Sequence, residues 1–299
     1  MRRKVSKVGP ATLVVSLPSK WVKKYGVKKG DEVEVEELEG KLVIDRNFNS
    51  TQKKEISLED INETYLRTII SSFYRKGYSE LILKFNEQRP PFGIIQEIIN
   101  SLIGYELISQ ENNSVLIKDI MKQEEMDINA IVNKLFQNIT LLIDILFEQI
   151  ENKRYDINEL ANIRKNILKM RDYCQRNIII QNSENSYELY SLVMYMERIA
   201  GEFYFIGEYL YSSKVNLNQK NIDFLRKHYE YFRELHNCFI KKNFSISNKF
   251  LKTIWDITDK DKLNCDYLKL TKIYNGQTVF FCSKILKFLS ASASRLVNI

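Results

Sequence analysis

Over the first forty-odd residues, hydrophobic and polar positions alternate in short runs, the period of two that places successive side chains on opposite faces of a strand. Arg2 to Val8 and Thr12 to Leu17 read as strands, with Gly9-Pro10-Ala11 as the turn between them. Pro18 stands where a helix can begin, because the first helical turn leaves its N–H groups unbonded, and Ser19 to Tyr25 forms a short helix stopped by Gly26. Gly30-Asp31 turns the chain into a strand from Glu32 to Leu38, and Glu39-Gly40 is a hairpin turn into Lys41 to Ile44. The predicted order is β, β, short α, β, β. So short a segment, with so little apolar surface, cannot bury a core alone, and pairing with a second copy is expected.

Thr51 to Glu55 is polar, lacks periodicity and reads as a linker. Ser57 opens a helix with Asp60 three residues on, and Ile61, Tyr65, Ile69, Ile70 and Phe73 give it one apolar face up to Gly77. A strand from Ser79 to Phe85, a helix from Ile94 to Ile103, and strands from Tyr105 to Ser109 and Ser114 to Lys118 complete a small α/β unit. Beyond it the period changes to that of helices. Glu124 to Glu151 keeps Ile128, Ile131, Val132, Leu135, Ile139, Leu142, Ile143, Leu146 and Ile150 on one side. Helices follow from Asp156 to Ile180, Glu184 to Tyr211, Asn218 to Lys241, Asn248 to Thr258 and Cys265 to Asn298. Two three-helix units in tandem account for them.

Composition agrees with this pattern. The 299 residues exceed what one core usually organises, and only 10 Gly and 4 Pro favour helix. The strongest apolar run, Leu141 to Phe147, is broken by Asp144, so no membrane span is expected, and no export signal follows the basic first residues. Cys174, Cys238, Cys265 and Cys282 lie far apart without a Cys-x-x-Cys pair, which points to a reducing cytoplasm.

Charge has one address. Residues 1–30 hold nine basic side chains and no acidic one, so the rest of the chain sums to −2 of the +7 total. Neutralising nucleic-acid phosphates needs such a concentration, and Arg2, Arg3, Lys4, Lys7, Lys20, Lys23 and Lys24 are the candidate DNA contacts. Lys28 and Lys29, in a turn, add field. Without Asn or Gln beside them, these residues suggest phosphate contact and shape reading more than a base code. No phosphate loop, nucleophile with a base, or carboxylate pair suggests an enzyme or a cofactor. His228 and His236 are eight apart, which makes a poor two-His metal site.

Arg3-Lys4-Val5, Val8-Gly9, Val14-Val15-Ser16-Leu17-Pro18, Trp21-Val22-Lys23-Lys24-Tyr25-Gly26-Val27 and Gly30-Asp31-Glu32-Val33-Glu34-Val35 together resemble the AbrB (SpoVT-AbrB, swapped-hairpin) DNA-binding domain. The resemblance implies two chains interlacing their hairpins into one small β-barrel, with Arg3, Lys4, Lys23 and Lys24 facing DNA. Pro10-Ala11 stand where many members place a basic residue after the loop glycine. Further on, Tyr195-Met196-Glu197-Arg198-Ile199-Ala200-Gly201-Glu202, with Ile206-Gly207-Glu208, is similar to the Glu-Arg-Ile signature of PhoU proteins, and the order of parts looks like archaeal PhoU-like phosphate-uptake regulators. PhoU-type bundles often bind metal through Glu-x-x-x-Asp pairs. Here Gly201 stands at the partner position of Glu197, Arg164 to Leu168 offers no carboxylate, and Lys284 and Lys287 stand in the matching turn of the second unit, so no metal is expected and Glu197 with Arg198 reads as a helix-surface pair.

The expected fold is multi-domain and mostly α: an AbrB-like swapped-hairpin β-barrel over 1–50, a small α/β unit over 57–119, and PhoU-like tandem three-helix bundles over 122–299, with repeats at about 122–213 and 218–299. The expected function is a cytoplasmic, dimeric DNA-binding transcriptional regulator of phosphate uptake genes, whose helical region senses or docks a partner. The alternative is a signalling adaptor that docks on a phosphate transporter or its partner without binding DNA.

Overall fold

The computed structural model describes residues 3–38, 41–45, 52–59, 62–86, 90–121, 127–258, 271 and 274–296, in two units, Met1–Thr51 and Gln52–Ile299. In the first, β1 (Val5–Val8) pairs antiparallel with β2 (Thr12–Val15), Val5 opposite Val15 and Val8 opposite Thr12. α1 (Ser19–Tyr25) starts after Pro18, whose extended backbone sets the entry, and ends at Gly26, whose left-handed φ of 63° lets its N–H return to the Val22 carbonyl. β3 (Glu34–Leu38) and β4 (Lys41–Asp45) form a second antiparallel hairpin. The order of elements is the expected one. The first strand starts at Val5 and not at Arg2, which lies outside the described residues, and the second stops at Val15 because Ser16 to Pro18 lead into the helix.

The second unit departs from the expected pattern at its first residues. Lys53–Leu58 is neither linker nor helix start but strand β5, parallel to β6 (Glu80–Phe85) with Lys53 opposite Glu80 and Leu58 opposite Phe85. Ser57 lies inside β5 and starts no helix: α2 (Glu63–Arg75) is capped by Asn62, whose side chain accepts from the Thr64 N–H at 2.8 Å, while Asp60 and Ile61 lie outside the described residues. α3 (Phe92–Asn100), β7 (Tyr105–Gln110) and β8 (Ser114–Asp119) complete a four-stranded sheet in the order β5-β6-β8-β7. Leu58, Leu83, Phe85, Val115 and Ile117 bury against Leu66, Ile70 and Tyr74 of α2 and Ile95, Ile98 and Ile99 of α3. Opposite alternation puts Glu80 on the other face, between Lys53 and Lys118 at 2.9 Å each, and hydrogen bonds from these two hold its carboxyl below the usual range.

Gly104 precedes β7 at φ 92°, and a Cβ there would stand 2.6 Å from Asp119 Oδ1. Gly104→Ala is therefore expected to lower unfolding free energy by about 2 kcal/mol, read from the midpoint of urea denaturation. An unchanged midpoint would remove this strain from the account.

Among the described residues six long helices follow: α4 (Ile128–Asn152), α5 (Ile157–Gln181), α6 (Ser186–Ser213), α7 (Gln219–Lys241), α8 (Phe244–Thr258) and α9 (Gly276–Leu296). Short polar side chains set several starts. Asp127, Asp156 and Asn218 cap α4, α5 and α7 through their side chains. Asn243 accepts from the Ile246 N–H, which starts α8 earlier than Asn248, and Asn275 accepts from Gln277 and Thr278, which starts α9 at Gly276 and not at Cys265. The stretch from 259 to 270 lies outside the described residues. α4, α5 and α6 pack on one another, as do α7, α8 and α9, and α6 lies along α9. The two triads share one continuous core, from Val132 and Leu135 through Met196 and Phe203 to Phe232 and Leu289. Polar pairs bridge α4 to α7: Asn133 to His236 and Asp144 to Tyr229 at 2.6 Å, and Glu151 to Arg226 at 2.7 Å. By length and composition α4 could cross a membrane, which the broken apolar run did not suggest, and half of that stretch is buried in the bundle.

One face of α5 holds the α/β layer. Lys169 donates to the Asn100 carbonyl at the end of α3, and Asp172 meets Arg75 of α2 at 2.9 Å. Arg176, almost wholly buried, donates to the Tyr74 and Tyr78 carbonyls at 2.6 and 2.9 Å and to Asp119 at 2.7 Å, with the Tyr74 and Tyr105 rings under its guanidinium. These carbonyls also accept from the Gly77 N–H and the Tyr105 hydroxyl, and a cation there adds favourable charge at the C-terminus of α2.

Glu197 does not form the expected helix-surface pair with Arg198. It is buried, not on the surface, and its main partner is Arg164 of α5, with Arg171 Nη1 at 3.7 Å, and only then its neighbour Arg198 at 3.9 Å. α6 is enclosed by three helices over most of its middle, so a charged position there faces protein and needs a counterion from another helix.

His228 is buried in α7 with Nδ1 against the Phe224 carbonyl at 2.8 Å, and burial pushes its pKa down to about 4. Nδ1 therefore carries the proton of a neutral ring, and the unfolded chain binds a proton that the native state refuses. Stability contributed by the neutral ring is complete above about pH 6.5 and is lost as pH falls toward 4, amounting to about 3 kcal/mol. Urea titrations across that range should show His228→Gln flattening this slope, and an unaltered slope would assign acid sensitivity elsewhere.

Candidate nucleic-acid interface

Arg3 and Lys4 lead into β1, Lys7 lies within it opposite Leu13, and all three are exposed. Lys20 and Lys23 lie three apart on α1, so they share its outer side and are exposed, while Trp21 and Val22 turn partly inward. Lys24 occupies the next position of that helix. Lys28 and Lys29 follow in an exposed turn, where Asp31 accepts from the Lys28 N–H at 2.9 Å and returns its own N–H to the Lys28 carbonyl. Of the seven candidates, the structure thus puts two before the first strand, one in it and three on the helix, and Arg2 is outside the described residues. All acidic residues of the unit come from Asp31 onward, so its charge is divided along the chain.

The apolar residues are the larger surprise. Val5, Val8, Leu13, Val14, Val15, Val35 and Leu42 are all exposed, Leu13 by 68% and Leu42 by 66%. The register puts Val5, Leu13 and Val15 on one face of the first hairpin and Val8 and Val14 on the other, so neither face is covered. The two hairpins belong to separate two-stranded sheets, and such hairpins are marginal in water without a further layer. The sequence suggested too little apolar surface for a core. In the fold there is enough, but it points outward, a surface that protein monomers seldom leave uncovered.

Residues 7–54 match the family model described as "Antidote-toxin recognition MazE, bacterial antitoxin". The match supports an AbrB-like swapped-hairpin domain at the N terminus. No curated protein and no solved structure matches the chain.

Proposed function

We propose that the chain is a cytoplasmic, non-enzymatic DNA-binding regulator acting as a homodimer, in which two N-terminal units cover each other's apolar hairpins and so gather two sets of Arg3, Lys4, Lys7, Lys20, Lys23 and Lys24 onto one duplex. The observation that carries this reading is the coincidence, within one small unit, of nine cations without an acid over residues 1–30 and apolar strands with no cover of their own. The helical unit serves as the sensing or docking part. Its assignment to phosphate uptake rests on the resemblance of Tyr195–Glu208 to the PhoU signature and on the two helical triads.

Titration of the full chain with labelled duplex DNA at several salt concentrations tests the binding itself. A steep fall of log affinity with log salt supports it, and no binding at low ionic strength refutes it. Dimerisation has its own test. Leu13→Glu with Val14→Glu puts one carboxylate on each hairpin face, on residues already exposed in the single chain. Light scattering should show the dimer dissociation constant raised by at least about 100-fold, because the carboxylates would be desolvated at the interface. Dimers of wild-type strength would exclude the hairpin interface. The description of the matched family favours a second reading, in which the N-terminal unit recognises a toxin. That reading gains if the purified chain ignores DNA and copurifies in stoichiometric amount with a toxin partner.

A further inference from the structure

The PhoU resemblance of α6 implies metal held by carboxylates one turn apart, and the residues present do not fit such a centre. One turn after Glu197 stands Gly201, where a Cβ would already be 3.1 Å from Arg164 Nη2, so an aspartate could enter only by displacing that guanidinium. Glu197 is surrounded by Arg164, Arg171 and Arg198, a charge set that repels a divalent cation. The next acid, Glu202, is buried on the side of α6 that meets α9, where Lys284 Nζ lies 3.4 Å from its Oε1 and over the Phe280 ring. Among the described residues no group of three or more His, Cys, Asp or Glu could hold a metal, and hard cations need several oxygens at once.

We propose that Arg164 and Lys284 are built-in counterions standing where a metal would stand, clamping α5 and α9 onto the buried carboxylates of α6, so that the helical unit keeps its fold without divalent metal. Each clamp joins two helices. Arg164 reaches from α5 and Lys284 from α9, and α6 supplies both carboxylates from positions five residues apart. A guanidinium suits the first clamp because it is permanently charged and forked, so neither a chelator nor a moderate change of pH removes it. Gly201 is part of the device, because its missing side chain is the space through which Arg164 passes. The inference concerns the helical unit alone and stands whether or not the N-terminal unit binds DNA.

The test is thermal melting of the full-length chain, with its metal content measured after purification. Wild type is expected to hold far less than one divalent ion per chain, and to keep its Tm within about 1 °C in excess EDTA or in millimolar Mn2+ or Mg2+. Arg164→Ala should melt at least about 5 °C lower, with Arg164→Lys between it and wild type, since removing Arg164 leaves the buried Glu197 carboxylate only the longer ion pairs to Arg171 and Arg198. If Arg164→Ala does not fold, the Lys variant carries the comparison. Stoichiometric metal in the wild type, a Tm that falls in EDTA, or a Lys variant that melts with wild type would each overturn the proposal.

Discussion

Alanine at Arg3, Lys4, Lys20 and Lys23 together is expected to weaken duplex binding by at least on the order of 10³-fold at 0.1 M salt, with the dimer intact. Each lost phosphate contact removes about 0.9 from the slope of log affinity against log salt, so four residues on each of two chains remove up to about 7 and the affinities converge toward 1 M salt. All four side chains are exposed, so the substitutions leave the fold undisturbed. The slope separates phosphate contact from general loss of charge. If affinity fell while the slope held, these residues would act by field alone, and the weight would shift to Lys7, Lys28 and Lys29. Base-specific contacts would show instead as a loss confined to preferred sequences.

The second large effect is expected far from DNA. Arg176→Ala should cost about 3–5 kcal/mol of unfolding free energy, because it removes the buried counterion of the Asp119 carboxylate together with a charged donor to the Tyr74 and Tyr78 carbonyls. Chemical denaturation measures the loss. Hydrogen exchange locates it: amides of β8 and of the end of α2 should lose protection while α7 to α9 keep theirs. Arg176→Lys should recover little, since one ammonium cannot reach three acceptors and lie over two rings. A loss below about 1 kcal/mol would show that apolar contacts alone hold the α/β layer on α5.

Periodicity carried most of the elements because most are amphipathic on their own account. α4 places Ile131, Leu135, Leu142 and Leu146 on one side, and that side is the buried one. What stayed hidden was defined by partners distant in the chain. β5 reads as a polar stretch because it is an edge strand rich in lysine, and only Glu80, 27 residues later in the register, makes it a strand. Glu197 looks like a surface acid until α5 brings Arg164 and Arg171 against it. Arg176 is one of many charges on a weakly amphipathic helix, and its signal lay in the spacing of Lys169, Asp172 and Arg176, three charges on one helical face. At the N terminus, counting found the cations directly. The outward valines needed the register, because alternation says which residues share a face but not whether anything covers it.

The most direct test of the central claim is sedimentation of the full chain alone and with a short duplex at low salt. Two chains alone and two chains per duplex, the complex dissociating as salt is raised, is the result this account predicts. A chain that sediments as a monomer and passes the duplex by would contradict it.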